Sequence, residues 1–182
     1  MYKHILYNSI CLFCPFNCFM EVTMEKLIDV ASYIVNRYQE EYKEKIDEMK
    51  LHKLLYFAQR ESYIMNNSPL FQEQFLGWKY GPVLRDVRDM YRDNSFKRVV
   101  PNDCVERIKP IIDEVFNRYA DRDSWSLSGL THGELSWMNA RKGIPVGENG
   151  YNKIENSDIQ LDAQRIKKRR ETIKATLIAK RQ

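Results

Sequence analysis

The sequence predicts a mainly α-helical fold: a compact single-domain helical bundle with at most a small β-hairpin or short extended segment. Three observations support this class. Apolar residues recur at helical spacing over most of the chain, one short aromatic stretch lacks that spacing, and clusters of turn residues separate the segments. The length of 182 residues and a hydrophobic content of 43% suffice for one domain with a core.

The first two predicted helices carry the clearest apolar stripes. The first spans Glu25 to Tyr42, and the second runs from an N-cap at Asp47 to about Met65. The second helix is apolar enough to be central in the bundle. Its expected inner face consists of Leu51, Leu54, Leu55, Ala58, Ser62 and Met65, with His52, Tyr56, Gln59 and Tyr63 on another side.

A short aromatic segment follows the turn that ends the second helix. Leu70 to Tyr80 is predicted to hold a small extended or hairpin-like piece. Gly81 and Pro82 are predicted to start the third helix, because proline is tolerated at the first helical position and glycine suits the bend before it. A fourth helix is predicted from about Asp103 to Tyr119.

The last third of the chain is predicted to hold three more helices. A short helix covers Ser124 to Leu130, and Thr131 is expected to cap a helix from Gly133 to Arg141. Glu134, three residues after Thr131, completes the pattern of a capping box. A final helix is predicted from Asn156 onward.

Three regions are predicted along the chain: residues 1–23 as a non-native or disordered leader, 24–155 as the helical domain, and 156–182 as a basic C-terminal helix and tail. Met24 is the expected natural start, because a regular amphipathic pattern begins directly after it. From Arg165 to Gln182, eight basic residues and one acid give +7, so the remainder carries −3 of the total +4. The positive potential is therefore concentrated at one end.

No set of catalytic groups is evident, and we expect a binding protein rather than an enzyme, without a cofactor or metal. His132-Gly133-Glu134 lacks the downstream Pro-Cys-x-x-Cys of the zinc deaminases. Cys11, Cys14 and Cys18 form either a metal site or an accidental cluster in the leader, and the second is favoured. The lone Cys104 of the body fits a reducing, cytoplasmic compartment, and no apolar run is long enough to span a membrane.

The candidate partner-binding surface centres on Trp78, Lys79 and Tyr80, in a loop constrained by glycine and proline. Tryptophan and tyrosine bury large areas at low entropic cost and are typical of binding sites. Alternatively, Trp78 packs inward and only Lys79 is exposed; both interpretations stay open. The predicted partner-binding residues are Tyr56, Trp78, Lys79, Tyr80, Gly81, Pro82, Trp137 and Arg141.

The basic tail has two interpretations. Lys167, Lys168, Arg169 and Arg170 could contact nucleic acid or an acidic partner. The other interpretation, slightly favoured, is a solvated helix whose charge aids solubility.

Several separate segments resemble the SocA-like antitoxins with the Panacea domain. The first runs from Lys50 to Gln59, and the next are Pro69-Leu70-Phe71 and Trp78 to Val83. A further stretch comprises Leu130 to Glu134 with Trp137 and Ala140-Arg141. Together they cover most of Met24 to Ile144, whereas the cysteine-rich leader and the basic tail depart from the pattern.

The resemblance implies a compact helical antitoxin that neutralises a cognate protein toxin, encoded by an adjacent gene, mainly by binding it. One subgroup of the family is described as proteolytic adaptors, so a cellular protease is a second implied partner. Enzymatic activity is not expected. A nucleic-acid-binding regulator that acts through the tail is the alternative function, and nucleic acid is the less favoured partner.

Overall fold

The computed structural model describes residues 24–180, so the predicted leader and its cysteines lie outside the described part of the chain. Within it there are seven α-helices and one small antiparallel hairpin, which confirms the mainly α-helical class. The elements are α1 (Leu27–Tyr42), α2 (Glu48–Asn66), β1 (Leu76–Trp78), β2 (Gly81–Val83), α3 (Arg85–Arg92), α4 (Asn102–Val115), α5 (Ser124–His132), α6 (Leu135–Ala140) and α7 (Asn156–Ala179). A π-helical turn, Phe116–Ala120, continues α4.

Helix α2 is the centre of the fold. Its predicted N-cap is confirmed, since the Asp47 carboxylate accepts a hydrogen bond from the Lys50 backbone N–H at 2.9 Å. Helices α1, α4, α5 and α7 all pack against α2, and every residue from Lys50 to Tyr63 is buried. The expected inner face was wrong at Met65, which is exposed at the end of the helix.

The second strand of the hairpin occupies the position where a helix start was expected. Gly81 and Pro82 belong to β2, where Gly77 pairs with Pro82 and Trp78 with Gly81, and α3 begins only at Arg85. A glycine–proline pair satisfies the local requirements of a helix start and of an edge strand equally well. Pairing with β1 decides between them, and the prediction of a helix start was wrong.

The predicted capping box is also wrong. Thr131 lies inside α5 and its hydroxyl donates to the Ser128 carbonyl oxygen, while Glu134 forms an ion pair with Arg60 of α2. The N-terminus of α6 is instead capped by Asp162 of α7, whose carboxylate accepts the backbone N–H groups of Leu135 and Ser136. Helix α6 is therefore held in place from α7 rather than by its own preceding residues.

Helix α7 is bound to the body by both apolar and polar contacts. Its buried residues are Ile159, Asp162 and Ala163. Arg170 donates two hydrogen bonds to the carboxylate of Glu61, a residue of α2 that is fully buried. All residues from 171 to 180 are exposed, so the last turns of α7 project beyond the part that packs on the body.

Candidate functional site

The backbone of the β1–β2 hairpin is fixed by side chains from three helices. Trp137 Nε1 donates to the Trp78 carbonyl oxygen at 2.9 Å, and Arg141 Nη1 to that of Gly77 at 3.1 Å. Two further donors act on the hairpin: Ser128 Oγ bonds the Tyr80 carbonyl at 2.9 Å, and Lys53 Nζ bonds that of Pro82 at 3.2 Å. The hairpin is thus held through its carbonyl groups, independently of most of its own side chains.

Gly81 is required by a close approach of the hairpin to α2. Its φ of +107° is strained for other residues. A Cβ at this position would lie 2.5 Å from Lys53 Cε and 2.6 Å from Thr131 Oγ1. The missing side chain therefore allows the hairpin to lie directly on the buried lysine, and burial lowers the pKa of Lys53 to about 7.

The inner wall of the site is an aromatic stack. The rings of His132 and Trp137 are parallel, with centroids 4.0 Å apart, and the Arg141 guanidinium lies over the Trp137 ring. Burial lowers the pKa of His132, so the neutral imidazole is favoured at neutral pH. Trp137 and Arg141 thereby orient the hairpin rather than form its outer face.

The outer face of the hairpin is rich in exposed aromatic rings. Tyr80 is 47% exposed and contacts Trp125 of α5, which is 64% exposed, edge to face at 5.3 Å. On the other side of the turn, Trp78 contacts Tyr151, which is 65% exposed, at 6.5 Å. Exposed aromatic rings of this size, held in fixed positions, are typical of partner-binding surfaces.

Cationic groups cover the same rings. Lys79 lies over Tyr80, Arg88 over Trp78 and Arg85 over Tyr151, with the charged groups 4.8, 4.8 and 5.6 Å from the ring centroids. These interactions hold the cations beside the rings, so the surface combines aromatic area with positive charge. We define the hairpin surface by these rings and cations: Trp78, Lys79, Tyr80, Arg85, Arg88, Trp125 and Tyr151.

The structure separates the predicted partner-binding residues into two groups. Of the three hairpin residues, Tyr80 is exposed, whereas Trp78 and Lys79 are half-buried beside it, and the role of all three in binding stays a prediction. Tyr56, Gly81, Pro82 and Arg141 are buried and Trp137 is half-buried, so these five do not present an open face to a partner. Tyr56 is fully buried, with its hydroxyl 2.7 Å from Ser136 Oγ, because helices enclose α2 on all sides.

Two exposed residues of the surface were missed by the sequence analysis. Trp125 stands alone in the first turn of α5, and Tyr151 follows a glycine-rich loop. Neither belongs to an aromatic cluster in the sequence, and only the fold brings them to the hairpin. The one local indication that Trp125 is exposed for binding was its position as an isolated tryptophan among the serines of a short helix.

The predicted cationic group of the tail is divided in the same way. Lys167, Lys168 and Arg169 are exposed on α7, whereas Arg170 is half-buried and bonded to Glu61. Because Glu61 is fully buried, Arg170 compensates a charge inside the protein and is not open to a nucleic acid.

Another group of buried charges forms a structural network around Arg60. Arg60 forms an ion pair with Glu134 and donates to the Tyr119 hydroxyl at 2.6 Å. Burial raises the pKa of the Glu134 carboxyl, although Arg60 opposes this effect. These groups join α2, α6 and the π-helical turn, and they lie inside the fold rather than in a cleft that a substrate could enter.

Residues 24–180 hold no group of three or more His, Cys, Asp or Glu residues placed to bind a metal ion, and none of their helices is both long and apolar enough to cross a membrane. An open groove between α1 and α4 is lined by Arg37, Lys109 and Asp113, which pair with one another. The groove thus has no unsatisfied charge cluster to carry chemistry.

Comparison with known families identifies the central part of the chain. The family described as "Antitoxin SocA-like, Panacea domain" matches residues 51–138. The chain carries a SocA-like Panacea domain. No curated protein and no solved structure matches the chain.

The match places most of the hairpin surface within the Panacea domain. It extends from the first turn of α2 to Met138 of α6 and includes both strands, α3 and Trp125. Helix α1, Tyr151 and the whole of α7 lie outside the matched residues. The hairpin, its supporting donors from α2 and α5, and Trp137 therefore all lie within the matched residues.

Proposed function

We propose that the protein is the antitoxin of a toxin–antitoxin system and neutralises a protein toxin, encoded by an adjacent gene, by binding it directly through the hairpin surface. The observation that carries the proposal is that the exposed rings of Tyr80, Trp125 and Tyr151, with neighbouring cations, are gathered around a hairpin whose backbone is fixed from within. The match to the SocA-like Panacea domain supports the antitoxin role. The protein acts by binding and is not an enzyme in this proposal.

The chemistry of the surface defines what the toxin must present. Aromatic rings that are already ordered by edge-to-face contacts lose little entropy on binding. Lys79, Arg85 and Arg88 add positive charge at the edges. The complementary toxin surface is therefore an apolar patch bordered by acidic side chains. The complex forms in the cytoplasm in this proposal, where Cys104 stays a free thiol.

Co-expression tests the proposal. The full chain is produced together with the product of the adjacent gene, and growth is compared with that of cells expressing the neighbour alone. We expect the neighbour to be toxic alone and harmless with this protein. A neighbour that is harmless by itself, or that still kills in the presence of the full chain, would contradict the pairing.

Surface variants test the site. In Trp125→Ala/Tyr151→Ala, two exposed rings are lost while all four bonds to the hairpin carbonyls stay. Each ring is expected to contribute at least ~1.4 kcal/mol of binding free energy, which is a factor of ten in affinity. We therefore expect the dissociation constant of the purified complex to rise on the order of a hundredfold when both rings are removed. Val99→Ala, an exposed apolar truncation between α3 and α4, is the matched control and should bind normally. If the double variant bound the toxin as tightly as Val99→Ala does, the hairpin surface would be excluded as the toxin-binding site.

The fate of the toxin distinguishes two modes of neutralisation. If the protein blocks its toxin, the toxin level stays constant when the two are co-expressed. If it delivers the toxin to a cellular protease, the toxin level falls and recovers in protease-deficient cells. Direct blocking is the mode that the rigid hairpin surface favours, because it needs no further partner.

A nucleic-acid-binding regulator is the second candidate function. The supporting observation is the exposed group of Lys167, Lys168 and Arg169 on α7. Binding through phosphate contacts falls steeply with salt. A gel-shift assay with the operon's own promoter DNA at low and high salt tests it, and absence of retardation at low salt would exclude it.

A further inference from the structure

Helix α7 packs on the rest of the fold through one row of residues along its length. This row continues into the last turns of the helix, which project beyond the rest of the fold. Its members follow one another at alternating intervals of four and three residues, as in the a and d positions of a coiled coil: Ile159, Ala163, Ile166, Arg170, Ile173 and Leu177. Ile159 and Ala163 are buried against the body, and Arg170 reaches Glu61 of α2. The first half of this row is thus already an interhelical contact.

The second half of the row is exposed. Ile173 is 50% and Leu177 56% exposed, within a stretch from 171 to 180 that has no buried residue. These ten residues extend for about 15 Å at the rise of an α-helix. An apolar row that is continuous with a helix-packing surface, and uncovered by the rest of the described chain, is arranged to receive another helix.

The charges beside the row determine which charge a partner helix must carry. Lys167 and Lys174 occupy the e positions next to the row, and Arg169 occupies a g position. In a helix pair these positions face the flanks of the partner and determine its charge. A second copy of α7 would bring like charges together, whereas a helix with glutamate or aspartate at its own e and g positions would form ion pairs.

We propose that the uncovered part of the row, residues 171–180 of α7, forms a docking seam for an acidic amphipathic helix of a partner protein. The seam is separate from the hairpin surface and does not depend on the proposed neutralisation of a toxin. Its apolar part is a narrow row, whereas a helix that lies in a membrane interface presents a broad apolar face. Nucleic acid would use the cations but has no need of Ile173 and Leu177.

Two synthetic peptides serve as probes. Each has about 21 residues, three heptads, with isoleucine and leucine at a and d; one carries glutamate and the other lysine at e and g. Fluorescence anisotropy measures their binding to the full-length protein. We expect the acidic peptide to bind and the basic peptide to bind at least about tenfold more weakly.

A pair of adjacent variants tests the seam itself. Leu177→Ser should weaken binding of the acidic peptide at least about tenfold, the loss of one buried leucine contact. Ile178→Ser is the matched control, because Ile178 is 52% exposed but lies off the row, and its binding should change by less than about twofold. Lys174→Glu should reduce binding of the acidic peptide and increase that of the basic one. Circular dichroism checks that each variant is folded.

Several outcomes would overturn the inference. The first is that the acidic peptide does not bind. The second is that Leu177→Ser and Ile178→Ser weaken its binding equally, as expected for unspecific apolar adhesion. A third is self-association of the full chain that Leu177→Ser abolishes, which would make the occupant a second copy. A fourth is binding to phosphatidylserine vesicles or to duplex DNA without binding of the acidic peptide.

Discussion

The buried Lys53 should make the stability of the protein depend on pH in a predictable direction. Its ammonium group is fully buried beneath Gly81, and its hydrogen bond to the Pro82 carbonyl oxygen is 3.2 Å long. Burial lowers the pKa from about 10.5 in the unfolded chain to about 7 in the folded protein. The unfolded chain therefore binds the proton more tightly than the folded protein does.

The magnitude follows from this difference in pKa. At 1.36 kcal/mol per pKa unit, keeping Lys53 protonated in the folded protein costs about 5 kcal/mol, and this cost applies in full below about pH 7. As the pH rises from 7 towards 10.5, the cost disappears and the free energy of unfolding increases. Lys53→Met removes the charge at all pH values and loses one hydrogen bond, worth about 1 kcal/mol.

Urea unfolding at pH 6, 7, 8, 9 and 10 measures the effect. We expect Lys53→Met to be more stable than the wild type by about 4 kcal/mol at pH 6 and equally stable near pH 10. Lys97→Met, at an exposed position, is the control and should follow the wild-type curve. A difference between Lys53→Met and wild type that stays constant from pH 6 to 10 would refute the reasoning, because it would mean that the folded protein leaves Lys53 protonated.

Two further predictions concern α7. Arg170→Met leaves the buried Glu61 without its bidentate partner and should lower the free energy of unfolding by about 3 kcal/mol, whereas the exposed Lys168→Met should have no measurable effect. Equal stability of these two variants in urea would show that Arg170 is only a solvated cation. Asp162→Ala removes the cap of α6 and should cost about 1–2 kcal/mol, measured by thermal unfolding, while Asp158→Ala on the same helix should cost less. A larger loss from Asp158→Ala would contradict the role of Asp162 as the cap.

The fold could be predicted where local chemistry decides it. The apolar stripe of α2, its cap at Asp47 and the start of α7 at Asn156 are local properties, and the structure has all three. The predictions failed where a distant residue decides. Gly81 and Pro82 join a strand because Leu76 to Trp78 pair with them, and Glu134 turns to Arg60, 74 residues away, instead of completing a capping box.

The candidate site, too, could be predicted only where its residues are adjacent in the sequence. The motif around Trp78 to Tyr80 was visible in the sequence because its aromatic residues are adjacent. Trp125 and Tyr151 reach the same surface from α5 and from the loop before α7, and no local pattern links them to the hairpin. Conversely, Tyr56 and Arg141 looked suitable for binding by residue type alone, yet they are buried, because exposure depends on how the whole chain packs.

The carbonyl bonds that fix the hairpin have a consequence for how this protein could acquire new partners. Donors from outside the hairpin bond its main-chain oxygens, so Lys79 and Tyr80 can change without loss of any of these bonds. The residues that maintain the fold and the residues that face a partner are therefore different sets. A library randomised at Lys79, Tyr80, Trp125 and Tyr151 would keep one scaffold while it samples many specificities.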